Sequence, residues 1–144
     1  MRIPYRRTAA LSAALVAASA SVPVAAATPN YGVDAVTLSQ TTVDGRAYLL
    51  REITIAPGGS TGWHWHAGTV FGVVRQGTLT HQRADCSLDG VYGPGDPITE
   101  PGGPDDVHIG RNLGATPVVM QGVYLLPIDA PLSYDAADPG CGYV

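Results

Sequence analysis

The sequence has no lysine; all eight of its basic residues are arginine. Chemistry through a lysine Schiff base is therefore excluded. Beyond residue 27, five arginines (Arg46, Arg51, Arg75, Arg83 and Arg111) stand against all twelve acidic residues. So acidic a surface repels a phosphate backbone, and no nucleic-acid partner is expected. Cysteine is nearly absent: Cys86 and Cys141 are far apart and form no CxxC pair, which disfavours a thiolate metal site. From Thr28 onward no run keeps the 3.6-residue apolar spacing of a packed helix. The only long apolar run, Ala9–Val24, is broken by Ser12, Ser19, Ser21 and Pro23. It falls short of the roughly 20 apolar residues that a membrane span needs, so no stable membrane anchor is expected.

That run follows Arg2, Arg6 and Arg7 and leads to Ala25-Ala26-Ala27, the order of a secretory signal with a small-residue cleavage site. Residues 1–27 are thus expected to be a signal peptide, cleaved near Ala27, and residues 28–144 a single secreted domain, extracellular or in the cell envelope. The Arg6-Arg7 pair leaves twin-arginine export as a second route, although its flanks match poorly. In an oxidising compartment Cys86 and Cys141 are expected to form a disulfide. It would close a loop of about 55 residues and contribute roughly 3–4 kcal/mol by restricting the unfolded chain. Ligating or reactive thiols are the competing reading.

What is abundant is Gly and Pro, which punctuate short runs of Val, Ile, Leu, Thr and Tyr. The domain reads as all-β, with strands expected at Ala35–Leu38, Arg46–Ile55, Val70–Arg75, Thr78–Arg83, Val107–Arg111 and Val118–Leu126. The separators are Pro57-Gly58-Gly59, Gly77, Asp89-Gly90, Gly93-Pro94-Gly95 and Pro101-Gly102-Gly103. Such spacing suits a sandwich or small barrel. The tail from Pro127 to Val144 is expected to be irregular, held to the body by the disulfide.

The chemistry concentrates in Gly62-Trp63-His64-Trp65-His66. Side chains two apart on a strand share a face, so His64 and His66 point one way and the two tryptophans the other. Two imidazoles about 7 Å apart along an extended chain can grip one metal ion, although a surface HxH is as common as a ligating one.

The surrounding pattern decides between these. Gly58-x5-His64-x-His66-x3-Val70-x6-Gly77 resembles the first motif of the cupin superfamily, and Gly95-x5-Pro101-x-Gly103, followed by His108-x3-Asn112, resembles the second. The resemblance implies a single cupin-type β-barrel, a jelly roll or double-stranded β-helix. It also implies one divalent transition metal (Mn, Fe, Ni, Cu or Zn) held by His64, His66 and His108. Two departures stand out. Val70 occupies the place of the usual glutamate ligand, which would weaken affinity for Mn²⁺ or Fe²⁺ in particular, and Pro104–Val107 makes the second motif two residues longer.

Glu100 is the nearest carboxylate that could compensate: as a fourth ligand, as a group orienting a ligating imidazole, or as an acid/base. Its ordinary alternative is a solvated loop glutamate. His81 and Arg75 could face a cavity or its mouth, yet each reads first as packing or surface. Tyr48, Tyr92 and Tyr124 read as half-buried packing, and Asp105 and Asp106 as a solvated turn. No general base and no substrate anchor is recognisable. The resemblance implies a small-molecule oxygenase, isomerase or related metalloenzyme, or else a non-catalytic module binding a small molecule or metal. It also makes a homodimer a candidate assembly.

Overall fold

The computed structural model describes residues 26–141; the expected signal segment up to residue 25 lies outside them. Ten strands are present among the described residues: β1 Tyr31–Val43, β2 Arg46–Ser60, β3 His64–Trp65, β4 Thr69–Gln76, β5 Leu79–Arg83, β6 Leu88–Tyr92, β7 Pro97–Glu100, β8 His108–Arg111, β9 Val118–Pro127 and β10 Tyr134–Asp135. Among the described residues no helix is long and apolar enough to cross a membrane.

The strands form a nearly closed antiparallel barrel of jelly-roll type, as expected. One wall runs β1, β2, β9, β4, β7. The other runs β10, β3, β8, β5, β6. β2 bridges them: it pairs with β9 from Arg46↔Pro127 to Ile55↔Val118, then meets β8 at Ser60↔Arg111.

Pro57-Gly58-Gly59, expected to end this strand, is instead the bend by which it changes walls. Gly58 takes a left-handed φ of 76°, which glycine adopts without penalty. Gly59 is packed so tightly that a Cβ would lie 2.8 Å from the Ala56 carbonyl. The freed backbone groups are recovered on Asn112, whose carbonyl accepts from the Gly58 amide and whose amide donates to the Gly59 carbonyl.

Period-2 alternation lines the interior, most plainly on β9, where Val118, Met120, Tyr124 and Leu126 point inward. They pack on Leu49, Ile53 and Ile55 of β2, Val70 and Val74 of β4, Leu79 and Ile98. β1 is far longer than the expected Ala35–Leu38, because pairing with β2 propagates along its polar flanks.

Asp89-Gly90, expected to be a turn, lies within β6. Its carboxylate is held across the hairpin by Arg83 and His81, and Gly90 makes room for the Tyr92 ring. Local turn preference yields here to specific pairing. The Cys86–Cys141 disulfide is formed. The tail, largely irregular as expected, is also tied by hydrogen bonds linking Thr28, Trp63 and Ala136 and by the stacking of Tyr134 on Trp65.

Candidate metal centre

All four histidines of the chain converge inside the barrel. His64 opens β3, where it pairs with His108 of β8, and His66 follows immediately after. Only His64 and Trp65 of the HxH segment are strand, yet both imidazoles turn inward. Trp63 is buried behind them against Ile109 and Cys141. Ring centroids within the His64, His66, His108 triad lie 4.5–5.3 Å apart. Their ligand nitrogens fall within 4.8 Å of one another, a grouping able to hold a metal ion.

The outer nitrogen of each ring in the triad faces a backbone carbonyl. His64 Nδ1 donates to Gly62 at 2.9 Å, His66 Nδ1 to Leu132 at 2.6 Å and His108 Nδ1 to Asp106 at 2.8 Å. A carbonyl can only accept, so each Nδ1 carries the proton and each Nε2 turns a lone pair inward. The longer second-motif turn supplies one of these acceptors, through Asp106, and the irregular tail supplies another, through Leu132.

Glu100, at the end of β7, is buried, which corrects the solvated alternative. Its cross-strand partner is Val70, the position where the resemblance led us to expect a glutamate. Glu100 thus places a carboxylate on the neighbouring strand, directly opposite that position. Glu100 Oε2 lies 3.1 Å from His66 Nε2 and 3.6 Å from His108 Nε2. Glu100, His81 and His108 form a second grouping whose ligand atoms all lie within 4.8 Å of one another, sharing His108 with the triad. Burial by itself would raise the carboxyl of Glu100. Its contacts with His66, His81 and His108 outweigh it and hold this group well below its ordinary value.

His81, on β5, joins the cluster rather than the surface or plain packing. Its Nε2 lies 3.5 Å from Glu100 Oε1, and its Nδ1 donates to Asp89 Oδ2 at 3.0 Å. Asp89 is in turn fixed by Arg83 and by the Tyr92 hydroxyl. The buried Nε2 atoms of His81 and His108 have no hydrogen-bond partner. Inward lone pairs around a carboxylate are an all-acceptor arrangement, which a cation completes. The donor set therefore fits a divalent transition metal. Arg75 and Asp105 are exposed and take no part in the cluster.

An interior cavity of about 40 Å³ touches His64, His66, His81 and Glu100. A mouth of about 230 Å³ shares His64, His66 and Tyr124 with it and also reaches Arg51, Leu132 and Asp135. A larger apolar groove of about 480 Å³ runs past Tyr31, Trp63 and Leu113 and touches none of the histidines. The polar cluster is the better site for chemistry, since convergent polar groups mark a functional pocket more than size does.

Two predictions follow from this geometry. Asp89→Asn, which weakens the support of His81 and through it Glu100, is expected to lower metal affinity about 10- to 100-fold with little change in the fold, read by competition with a chelating dye. The second concerns acid. Burial pushes His108 down to about 3 and also lowers His64. The unfolded chain therefore takes up protons below pH 6.5 that the folded chain refuses, and stability falls as pH drops through that range. His108 alone accounts for about 2 kcal/mol lost at pH 5. Glu100, depressed in the fold, adds a loss that begins below its unfolded value near 4.5. Thermal melts of chelator-treated protein between pH 8 and 4 should show a steady decline. A flat profile would contradict neutral buried imidazoles.

The family described as Cupin domain matches residues 51–126. Among solved structures, the polyketide cyclase RemF from Streptomyces resistomycificus is 25% identical, with a TM-score of 0.60 over 77% of this chain and 78% of that one. A conserved protein with a double-stranded β-helix domain from Klebsiella pneumoniae shares 18% identity at a TM-score of 0.56, covering 72% and 80%. A cupin superfamily protein from Desulfitobacterium hafniense shares 18% at 0.53, covering 65% and 77%. No curated protein matches the chain.

Proposed function

This chain belongs to the cupin family, and on that footing we propose that it is an exported metalloprotein acting on small molecules, with one divalent transition metal held by His64, His66, His108 and Glu100. The observation that carries this is the buried ring of inward lone pairs around one carboxylate, including a His108 Nε2 that has no partner. When bound, the metal would supply Lewis-acid or redox chemistry. The chain's own part is to hold three imidazoles in one tautomer through Gly62, Leu132 and Asp106. It also supplies one negative charge from Glu100, buried beside the imidazoles.

An open mouth beside His64 and His66 favours catalysis over mere storage of the ion, because it gives a small molecule access to the centre. The likeness to a polyketide cyclase supports small-molecule chemistry. An oxygenase or isomerase is the reaction class we favour, and the non-catalytic binding module is the alternative outcome. The disulfide supports work outside the reducing cytoplasm.

Metal analysis of protein purified from an exported preparation tests the reading. One equivalent of metal is expected. No uptake, even after incubation with Mn, Fe, Ni, Cu and Zn salts, would sink it. Dioxygen consumption or substrate isomerisation by the loaded protein, against tight ligand retention without turnover, separates enzyme from binding module.

A further inference from the structure

Along β2, Leu49, Arg51, Ile53 and Ile55 occupy one face, and the three apolar members are buried in the core. Arg51 is thus an inward-facing charge on an otherwise apolar row. Its guanidinium carbon stands 5.9 Å from the centroid of the Tyr124 ring. Its buried Nε has no hydrogen-bond partner. Among the described residues no carboxylate lies within 4.0 Å of it. A half-buried cation whose neighbour is the uncharged Tyr124 side chain is incompletely compensated. The cavity that Arg51 lines is the mouth shared by His64, His66 and Tyr124, so the charge sits at the entrance to the candidate metal centre.

We propose that Arg51 anchors the carboxylate of a small organic acid, so that the substrates or ligands of this site are monocarboxylates with the reacting end turned toward the imidazoles. The inference rests on the metal-centre reading for the direction of the ligand, but not for its charge. A guanidinium presents two parallel N–H groups that match one carboxylate. The Tyr124 ring stands beside the guanidinium, and its hydroxyl adds a polar group at the same mouth. A phosphate is disfavoured: one arginine with Asp135 on the same rim is too little positive charge for a dianion.

The test is calorimetric binding of acetate, pyruvate, lactate and benzoate to the intact metal-loaded protein, each beside its neutral amide, with inorganic phosphate as a further probe. At least one acid should bind ten-fold or more tightly than its amide, and Arg51→Met should erase that preference while leaving metal content unchanged. Arg51→Lys, which keeps the charge but not the fork, should retain part of it. Acids binding no better than amides, phosphate binding best, or a preference surviving in Arg51→Met would each overturn the proposal. If the protein takes up no metal, the function reading fails separately. The same acid-and-amide comparison on metal-free protein then still decides for or against Arg51. Should Arg51→Met misfold, the wild-type comparison and Arg51→Lys carry the decision.

Discussion

Changing His64 and His66 together to alanine is expected to take the protein from one equivalent of metal to none. Binding of a structural zinc ion is worth about 10–16 kcal/mol, so each of four ligands contributes roughly 3–4 kcal/mol, or a factor of several hundred in affinity. Loss of two ligands removes about five powers of ten, enough to empty the site at micromolar metal. The pair is decisive because both rings face the same cavity and both are oriented by carbonyls that remain after substitution. The variant also leaves Glu100 buried without its contact with His66. A loss of stability is expected alongside the loss of metal. His66→Gln, which keeps polarity and most of the volume, isolates the ligand effect. Metal content by mass spectrometry, with a thermal melt on each variant, reads both. Full metal content in the double variant would place the ion elsewhere.

Removing the disulfide by Cys86→Ser with Cys141→Ser should cost roughly 3–4 kcal/mol, the entropy of a closed loop of this length. The effect should not stop at stability. The bridge pins the end of the tail, and that tail carries the Leu132 carbonyl that receives the His66 Nδ1 proton. A looser tail leaves His66 free to rotate and change tautomer, so metal affinity is expected to fall about ten-fold or more. Denaturant melts with and without reductant, paired with metal competition, check both halves. A stability loss without any change in metal affinity would mean that β10 and the Thr28 hydrogen bonds hold the tail by themselves.

The barrel and the imidazole triad were legible in the sequence because they depend on local signals: period-2 alternation, Gly and Pro punctuation, and two motifs whose histidines lie on strands. What was not legible depends on register. Nothing near Glu100 in the chain says that it faces Val70, and only pairing of β4 with β7 brings them together. His81 and Asp89 likewise meet only across the β5–β6 hairpin, and Asp89-Gly90 carried the stronger local signal of a turn. Leu132 contributes a backbone carbonyl, which no side-chain pattern announces. Arg51 did leave a trace: a charge at an inward position between Leu49 and Ile53 breaks the alternation of β2, and such a break marks a residue with something to bind.

Val70 and Glu100 face each other across one rung of the barrel. Directly opposed residues on paired strands stand about 5 Å apart, so a carboxylate can pass from one to the other by two point substitutions and no movement of the backbone. A chain carrying both acids, as Val70→Glu would create here, places two negative groups around the same cavity. Ancestry can then change the written motif while leaving the inner wall chemically the same. A search pattern that insists on the acid after the HxH pair would discard this protein, whereas one that accepts the acid at either end of the rung would keep it.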